Sequence, residues 1–435
     1  MVERNGTEIS PKEHEVRPGR RVVVTGIGAV SPYGMNVDEM WQNVLAGISR
    51  ARVIVDERFR SRIAIPMADY DQAKLFTQAE RKIRQRSSRA SQYSFLAAKE
   101  ALADGGHTVN NILDEGIAKS RFGVFVGTGI GGMEYYRQAG KILEETGPKE
   151  IPPSTILQVE PERVSSIINL FWHLKGWSGS LVTACSTGID NMAVSALLIR
   201  LGINDYMVCG GTEGEITDIV MAGFGNMEAM ADGRYLNEPW RASRPFNSDS
   251  TGFVPSEGAS IMILEAEEVA LKRNAKVYAE LVGVNCNNDG NHETVPGAHE
   301  EAEAISNALE DANVKPEEVD LYVAHATSTG LSEKTEMEAV RIVFGDHVRN
   351  LAICAPKSIM GHQLGAAGAT TALFAVKAIY EGVIPPTINI DNVRPEFADL
   401  DIVKKPRKKD VRVAVAFSAG FGGYNGVLVF KKYIP

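Results

Sequence analysis

Hydrophobic positions along the chain fall into two alternating rhythms. Short apolar runs rich in β-branched residues recur at Arg21–Thr25, Phe122–Val126, Leu181–Ala184, Tyr206–Cys209, Ala259–Leu264, Ala352–Ala355 and Val411–Phe417. Runs of this length without strict polar alternation predict strands buried on both faces. Longer segments with helical spacing lie between them. A charged and aromatic helix is predicted over roughly Thr77–Asp104, a nearly wholly apolar one over Gly188–Leu201, a charged one over Glu265–Arg273 and a small-residue one over Gln363–Tyr380. The apolar helix has no polar face and must be covered on most sides. Glycine turns punctuate the strands: Gly26-Ile27-Gly28 after the first, and Gly420–Gly423 between Val411–Phe417 and Gly426–Phe430, which closes the chain as a hairpin. Alternating strands and helices predict an α/β fold.

The second half echoes the first. AKEALAD (residues 98–104) precedes the strand FGVFVGTGIG, and ISNALED (305–311) precedes DLYVAHATSTG. This repeat implies an internal duplication about a pseudo-two-fold axis, with the seam near residues 265–280. The expected organisation is a flexible tail (1–20), an N-terminal half (21–275) and a C-terminal half (276–435).

Composition narrows the function classes. The 435 residues are 44% hydrophobic and 23% charged, and the net charge of −9 argues against a general nucleic-acid binder. The four cysteines, Cys185, Cys209, Cys286 and Cys354, form no C-x-x-C pair, so neither a zinc site nor a disulfide framework is suggested. Isolated cysteines and a polar N-terminus without an apolar signal core predict a cytoplasmic protein. No apolar run is long enough to span a membrane.

Candidate chemistry gathers at strand ends. Cys185 sits where LVTA meets the apolar helix, a nucleophile-elbow position where the helix dipole is expected to favour the thiolate. A lone cysteine is as readily a structural one. Two histidines shift that balance: His325 follows the strand LYVA, and His362 lies in KSIMGH, just after LAICA. All three would lie at the carboxyl ends of strands, where ligands gather in parallel α/β sheets. Lys357, in a buried turn, needs a counter-charge, and Glu336 on the helix after the His325 turn is the candidate. The glycine turn around Phe421 lets backbone N–H groups approach a ligand and hold an oxyanion together with the N–H of Cys185. Gly127-x-Gly129-x-x-Gly132 mimics a dinucleotide fingerprint, but more than a hundred residues precede it and it leaves the cysteine and both histidines unexplained.

The strings TACSTG at Cys185, HATST at His325, KSIMGHQLGAAG at Lys357–Gly368 and GFGGYNG near the end resemble β-ketoacyl-acyl-carrier-protein synthases of the type II branch, over about residues 20–433. VVVTGIGAVSPYG, GTGIGG, GGTE, ASRPF, GFVPSEGA and PPTINID add to the resemblance. It implies a thiolase-like fold, two similar halves in a five-layered αβαβα arrangement, and a homodimer. It also implies decarboxylating condensation of an acyl group on Cys185 with a malonyl group. Both substrates ride on the phosphopantetheine of acyl carrier protein (ACP), and no metal or redox cofactor takes part. Under it, His325 and His362 serve decarboxylation as neutral N–H donors, Lys357 and Glu336 form a supporting ion pair, and Phe421 is gate and oxyanion donor. Thr327 and Thr329 meet the pantetheine arm, and Ile130 and Phe224 line the acyl pocket. Carrier docking is expected on the basic run Arg81, Lys82, Arg84, Arg86 and Arg89.

Departures from the family pattern are Ala326 for glycine in H-G-T-S-T, Ala419 for phenylalanine in S-F-G-F-G-G, Tyr424 before Asn425, and Asn247 and Thr251 in a usually acidic stretch that keeps Asp249. None removes a catalytic group, and Ala419 predicts a roomier acyl site. The competing readings are a non-catalytic chain-length-factor-like subunit, which the intact Cys185 and histidines disfavour, and a thiolase or acyl-thioester hydrolase. A thiolase would carry a second cysteine in the final glycine turn, whereas Cys354 precedes Lys357.

Overall fold

The computed structural model describes residues 19–67, 75–107 and 118–435. The expected tail lies almost wholly outside them. Its last residue, Arg20, is anchored by Asp205 and Glu268 at 2.8 and 2.6 Å.

Ten strands form the main sheet: β1 (Val22–Val30), β2 (Phe122–Thr128), β3 (Tyr206–Glu213), β4 (Gly258–Ala266), β5 (Ala279–Asn288), β6 (Leu321–Val323), β7 (Ala352–Cys354), β8 (Asp401–Ile402), β9 (Val413–Gly420) and β10 (Tyr424–Lys431). Their order is β8-β7-β6-β9-β10-β5-β1-β4-β3-β2. Read outward from the centre, β1-β4-β3-β2 and β5-β10-β9-β6 repeat one pattern of antiparallel, antiparallel and parallel neighbours. Along the sheet the two wings meet through a short antiparallel contact, Val23 with Glu280 and Val24 with Ala279. This is the duplicated, thiolase-like α/β architecture. The sheet is mixed rather than parallel, because each repeat contains two antiparallel pairings.

Six helices complete the layers: α1 (Arg89–Asp104), α2 (Arg163–Trp172), α3 (Thr187–Arg200), α4 (Ala298–Asp311), α5 (Gly330–Phe344) and α6 (Ala367–Glu381). Strand residues alternate between two cores, as a period of two demands. Met262 and Leu264 of β4 face inward with Met207 of β3, while Ile261 and Ile263 face α1 and α2. In the other wing Ala414, Ala416 and Leu428 face inward, while Val413, Val415 and Val427 face α4 and α5. The inner core is filled by α3 and α6, through Ile189, Met192, Leu373 and Phe374 among others. Layers therefore run helix, sheet, helix, sheet, helix. Both faces of each wing are covered, which is why these strands read as apolar runs. The central helices approach closely: a Cβ added at Gly188 would lie 2.4 Å from Ala369 N.

Four local expectations are corrected. The first strand does not end at Thr25 but continues through Gly26–Gly28 to Val30, absorbing a bulge between Val24 and Gly26. The helix expected over 77–104 is two, Arg81–Arg86 and α1, because Ser88 turns extended and caps α1 by accepting from Ser91 N. The charged helix expected from Glu265 spans only Glu267–Lys272, since Glu265 and Ala266 still belong to β4. Leu181–Ala184 joins no ladder. It follows a single bridge from Gly179 to Phe125, and Asn191 holds the N–H of Leu181 at 3.0 Å.

Candidate active site

Cys185 occupies a short 3-10 turn, Ala184–Ser186, that runs into α3. Ala184 has φ +50°, left-handed backbone that costs a non-glycine residue about 1–3 kcal/mol. Hydrogen bonds hold it there. Ser186 N donates to Thr183 O at 3.2 Å, Thr183 N to Thr187 Oγ1 at 2.9 Å, and Ser418 Oγ on β9 to the Cys185 carbonyl at 2.9 Å. The nucleophile position is thus pinned by both halves of the chain.

His362 follows the short helix Lys357–Met360 rather than β7 itself, which corrects its expected place directly at a strand end. Its Nε2 lies 3.0 Å from Cys185 Sγ, and the Phe253 ring packs edge-on against it at 5.1 Å. His325, two residues beyond β6, stands at right angles to His362 with ring centroids 5.5 Å apart. Phe421 N–H also donates to Cys185 Sγ. A Cβ added at Gly420 would lie 3.1 Å from Cys185 N, so glycine lets the hairpin reach the nucleophile turn.

Burial dominates the electrostatics. It pushes the Cys185 thiol up to about 12, while the Lys357 charge pulls the other way. Lost hydration thus works against the thiolate that the helix N-terminus is expected to favour. Burial, reinforced by Lys357, drives both histidines well below their ordinary range, so both are neutral.

The expected Lys357–Glu336 ion pair is not a contact. Glu336 spends its carboxylate on the HATST turn, accepting from His325 N at 2.7 Å and Ala326 N at 2.8 Å. Lys357 Nζ is buried with no hydrogen-bond partner among the described residues. The two still interact through space, Glu336 offsetting part of the burial that lowers Lys357.

One cavity of about 380 Å³ joins the remaining candidates. Its apolar lining includes Ile130, Phe224, Met227 and Phe253, with the Phe224 and Phe253 rings 5.4 Å apart. Its polar lining includes Thr327, Thr329, Ser332, His292 and Asp289, and Ala419 and Phe421 also border it. The Thr327 and Thr329 hydroxyls are 2.9 Å apart. The Gly127–Gly132 run is no dinucleotide loop: Gly129 lines the cavity, and its Cβ would meet Gly365 N at 3.2 Å. Sequence reasoning missed Ser418, which sits in an otherwise apolar strand. It also missed the 289–297 loop, tied to the glycine turn by Gly422 N donating to Glu293 O at 2.8 Å. The Asn, Asp, Gly and Pro content of that loop marks it as a loop but not as a cavity wall. Among the described residues, no group of three or more His, Cys, Asp or Glu side chains could hold a metal ion, and no helix is long and apolar enough to cross a membrane.

A duplicated thiolase-like fold with a cysteine facing two neutral histidines and a backbone donor defines a ketosynthase architecture. Residues 19–270 match the N-terminal domain of β-ketoacyl synthases, and residues 278–391 the C-terminal domain. The chain belongs to the β-ketoacyl synthase family. It is 37% identical to a 3-oxoacyl-[acyl-carrier-protein] synthase 2 of Coxiella burnetii, over 95% of this chain and 99% of that one. A crystal structure of a β-ketoacyl synthase from Burkholderia phymatum superposes with a TM-score of 0.88 at 32% identity, covering 95% of this chain and all of the other. AntDE:AntF, a type II polyketide ketosynthase in complex with its acyl-carrier protein, gives 0.86 at 28% identity, again over 95% of this chain and all of that one.

Proposed function

We propose that this enzyme is a decarboxylating β-ketoacyl-ACP synthase of fatty-acid elongation. The observation that carries the reading is the convergence of His362 Nε2 and the Phe421 N–H on Cys185 Sγ, in a cavity lined both by apolar side chains such as Ile130 and Phe224 and by the hydroxyls of Thr327 and Thr329. An acyl chain suits the apolar lining, and the amide-rich phosphopantetheine suits the hydroxyls of Thr327 and Thr329.

In the first half-reaction Sγ gives up its proton and attacks the acyl thioester carbonyl. The N–H groups of Cys185 and Phe421 hold the tetrahedral oxyanion, the pantetheine thiol leaves with a proton, and the acyl group stays on sulfur. In the second, malonyl-ACP loses CO₂ and its electron pair moves onto the thioester enolate, beside the histidines. The enolate carbon then attacks the acyl-cysteine carbonyl and expels the Cys185 thiolate, giving β-ketoacyl-ACP two carbons longer. Release of CO₂ drives carbon–carbon bond formation, so no redox group is needed. Lys357 and Glu336 shape the field and the HATST turn, Phe421 gates the cavity, and Ile130, Phe224 and Ala419 bound the acyl chain. A homodimer is part of the proposal. Large apolar side chains stand exposed at Trp177 and Val182 beyond β2 and at Leu197 on α3, the kind of surface a partner subunit covers.

The test is intact-protein mass spectrometry after mixing with a panel of acyl-ACPs. Wild type should gain one acyl mass that Cys185→Ala lacks, and Ala419→Phe should narrow the panel to slimmer chains. If no acyl-ACP loads the wild type, a non-catalytic subunit replaces this reading.

A further inference from the structure

We infer that the cavity holds a polar subsite beside the nucleophile, and that the acyl group it takes carries a hydroxyl close to its thioester. The inference rests on the reading proposed above and deepens it by naming a substrate class. Three observations carry it: what a small residue uncovers, which atoms lie there, and what charge surrounds them.

Ala419 on β9 lies directly opposite Asn425 on β10 in the antiparallel ladder. Opposite residues share a face of the sheet, with Cβ atoms about 4.5–5.5 Å apart. A phenylalanine at 419, the residue of the family pattern, would therefore stand beside the Asn425 side chain. With alanine there, Ala419, Asn425 and Asp289 all line the same cavity as Cys185. The place is close to the chemistry. Ser418, one residue back, donates to the Cys185 carbonyl at 2.9 Å, and a Cβ added at Gly420, one residue on, would lie 3.1 Å from Cys185 N.

The atoms uncovered are acceptors. Asn425 is 1% exposed, and its Nδ2 donates to Asn287 Oδ1 at 3.1 Å and to Asp289 Oδ1. Both amide hydrogens are spent, so the Oδ1 that remains can only accept. Asp289 accepts again, on Oδ2, from Gly297 N at 2.9 Å. A carboxylate that accepts two hydrogen bonds still has lone pairs for a further donor. Backbone bonds hold this wall in place: Asp289 N donates to Gly423 O and Gly422 N to Glu293 O, each at 2.8 Å.

Charge points the same way. Among the described residues, three carboxyl side chains line the cavity, Glu228, Asp289 and Glu293, and no lysine or arginine does. A substituent that only accepts, such as a ketone or a carboxylate, finds no partner in Asn425 or Asp289. A hydroxyl brings the hydrogen that both can take. Because Ala419 neighbours the residues that touch Cys185, the hydroxyl belongs near the thioester end of the chain rather than at its far end.

The experiment is a competition. Octanoyl-ACP and β-hydroxyoctanoyl-ACP, each enantiomer in turn, are mixed at equal concentration with the full-length enzyme. The two acyl masses on Cys185 are read by intact-protein mass spectrometry at low conversion. One enantiomer is expected to load about tenfold faster than the plain chain, the worth of one matched hydrogen bond. In Ala419→Phe the ratio should fall to one, because the ring covers the wall. If the ring blocks loading altogether, Ala419→Leu supplies the ratio. A wild-type ratio of one or less for both enantiomers overturns the inference, as does a ratio that the substitution leaves unchanged. If the wild type loads neither chain, the proposed function fails, and a crystal structure of Cys185→Ala with β-hydroxyoctanoyl-pantetheine decides the subsite alone. A hydroxyl within about 3.2 Å of Asp289 or Asn425 supports it, and one placed elsewhere refutes it.

Discussion

Lys357 is an ammonium group buried without a hydrogen-bond partner, and its effect on the site is exerted through space. It draws the Cys185 thiol down against the burial that raises it, and it pushes both histidines further below their usual range. Lys357→Met, close in length and without charge, is expected to move all three upward. Iodoacetamide alkylation of Cys185 at a fixed alkaline pH should then slow by about tenfold for each 1.4 kcal/mol of lost attraction. An unchanged alkylation profile would show that the charge is compensated elsewhere. The neutral histidines add a sign of their own. Their native values lie below the ordinary 6.5, so the unfolded chain binds more protons once the pH drops beneath it, and stability falls toward acid.

The short helix Arg81–Arg86 buries none of its side chains. Arg89 does not share its freedom, since its guanidinium is held by Glu257 at 2.9 Å and by the Tyr93 hydroxyl. The cationic surface left for a carrier protein is therefore Arg81, Lys82, Arg84 and Arg86. Reversing Arg84 and Arg86 to glutamate should raise KM for acyl-ACP about tenfold or more at low salt and leave small acyl thioesters unaffected. An unchanged dependence on carrier concentration refutes docking there. At this scale the sequence was informative where physics is local. β-branched runs marked most strands because those strands are covered on both faces, and the glycine turn at Phe421 was visible as a turn. The break at Ser87 and Ser88 was legible in principle, since serine is a good N-cap, but helical spacing continued across it. The segment 181–184 has strand composition and still pairs with nothing, because its neighbours claim it through side chains, as Asn191 does. Cys185, His325, His362 and Phe421 were readable as chemistry. Ser418 was not, since a serine in an apolar strand carries no signal until the fold sets a carbonyl and an imidazole beside it. Glu336 was found for the wrong contact, because only the folded turn shows two backbone N–H groups waiting for its carboxylate.

Across the whole molecule, Glu301 is the least reconciled group. It is fully buried on α4, and neither carboxylate oxygen has a hydrogen-bond partner among the described residues. Burial, with Glu336 and Asp289 nearby, raises it well above the ordinary carboxyl range, so the folded protein keeps a proton that the unfolded chain releases. Native stability should therefore fall as pH rises above about 4.5. Glu301→Gln removes the penalty, and its melting temperature should gain on the wild type by a few degrees between pH 5 and pH 8. A difference that stays flat with pH contradicts this account. Sedimentation velocity tests the proposed dimer: a single species near 94 kDa, about twice the 47.2 kDa chain, supports it, and a 47 kDa species rejects it.

The nucleophile turn and its histidine each lie just before one of the two helices of the middle layer, 177 residues apart along the chain. During synthesis at roughly 5–20 residues per second, that separation is a wait of about 10–35 s. For most of that interval the ribosome has delivered a cysteine but neither histidine, and His325 arrives before His362, the glycine turn and Ser418. A half-made chain thus carries an unactivated thiol and cannot sequester acyl groups in dead-end thioesters. Chemical competence arrives only with the strands of the second repeat, so activity doubles as a certificate that both repeats have been made and have closed on each other.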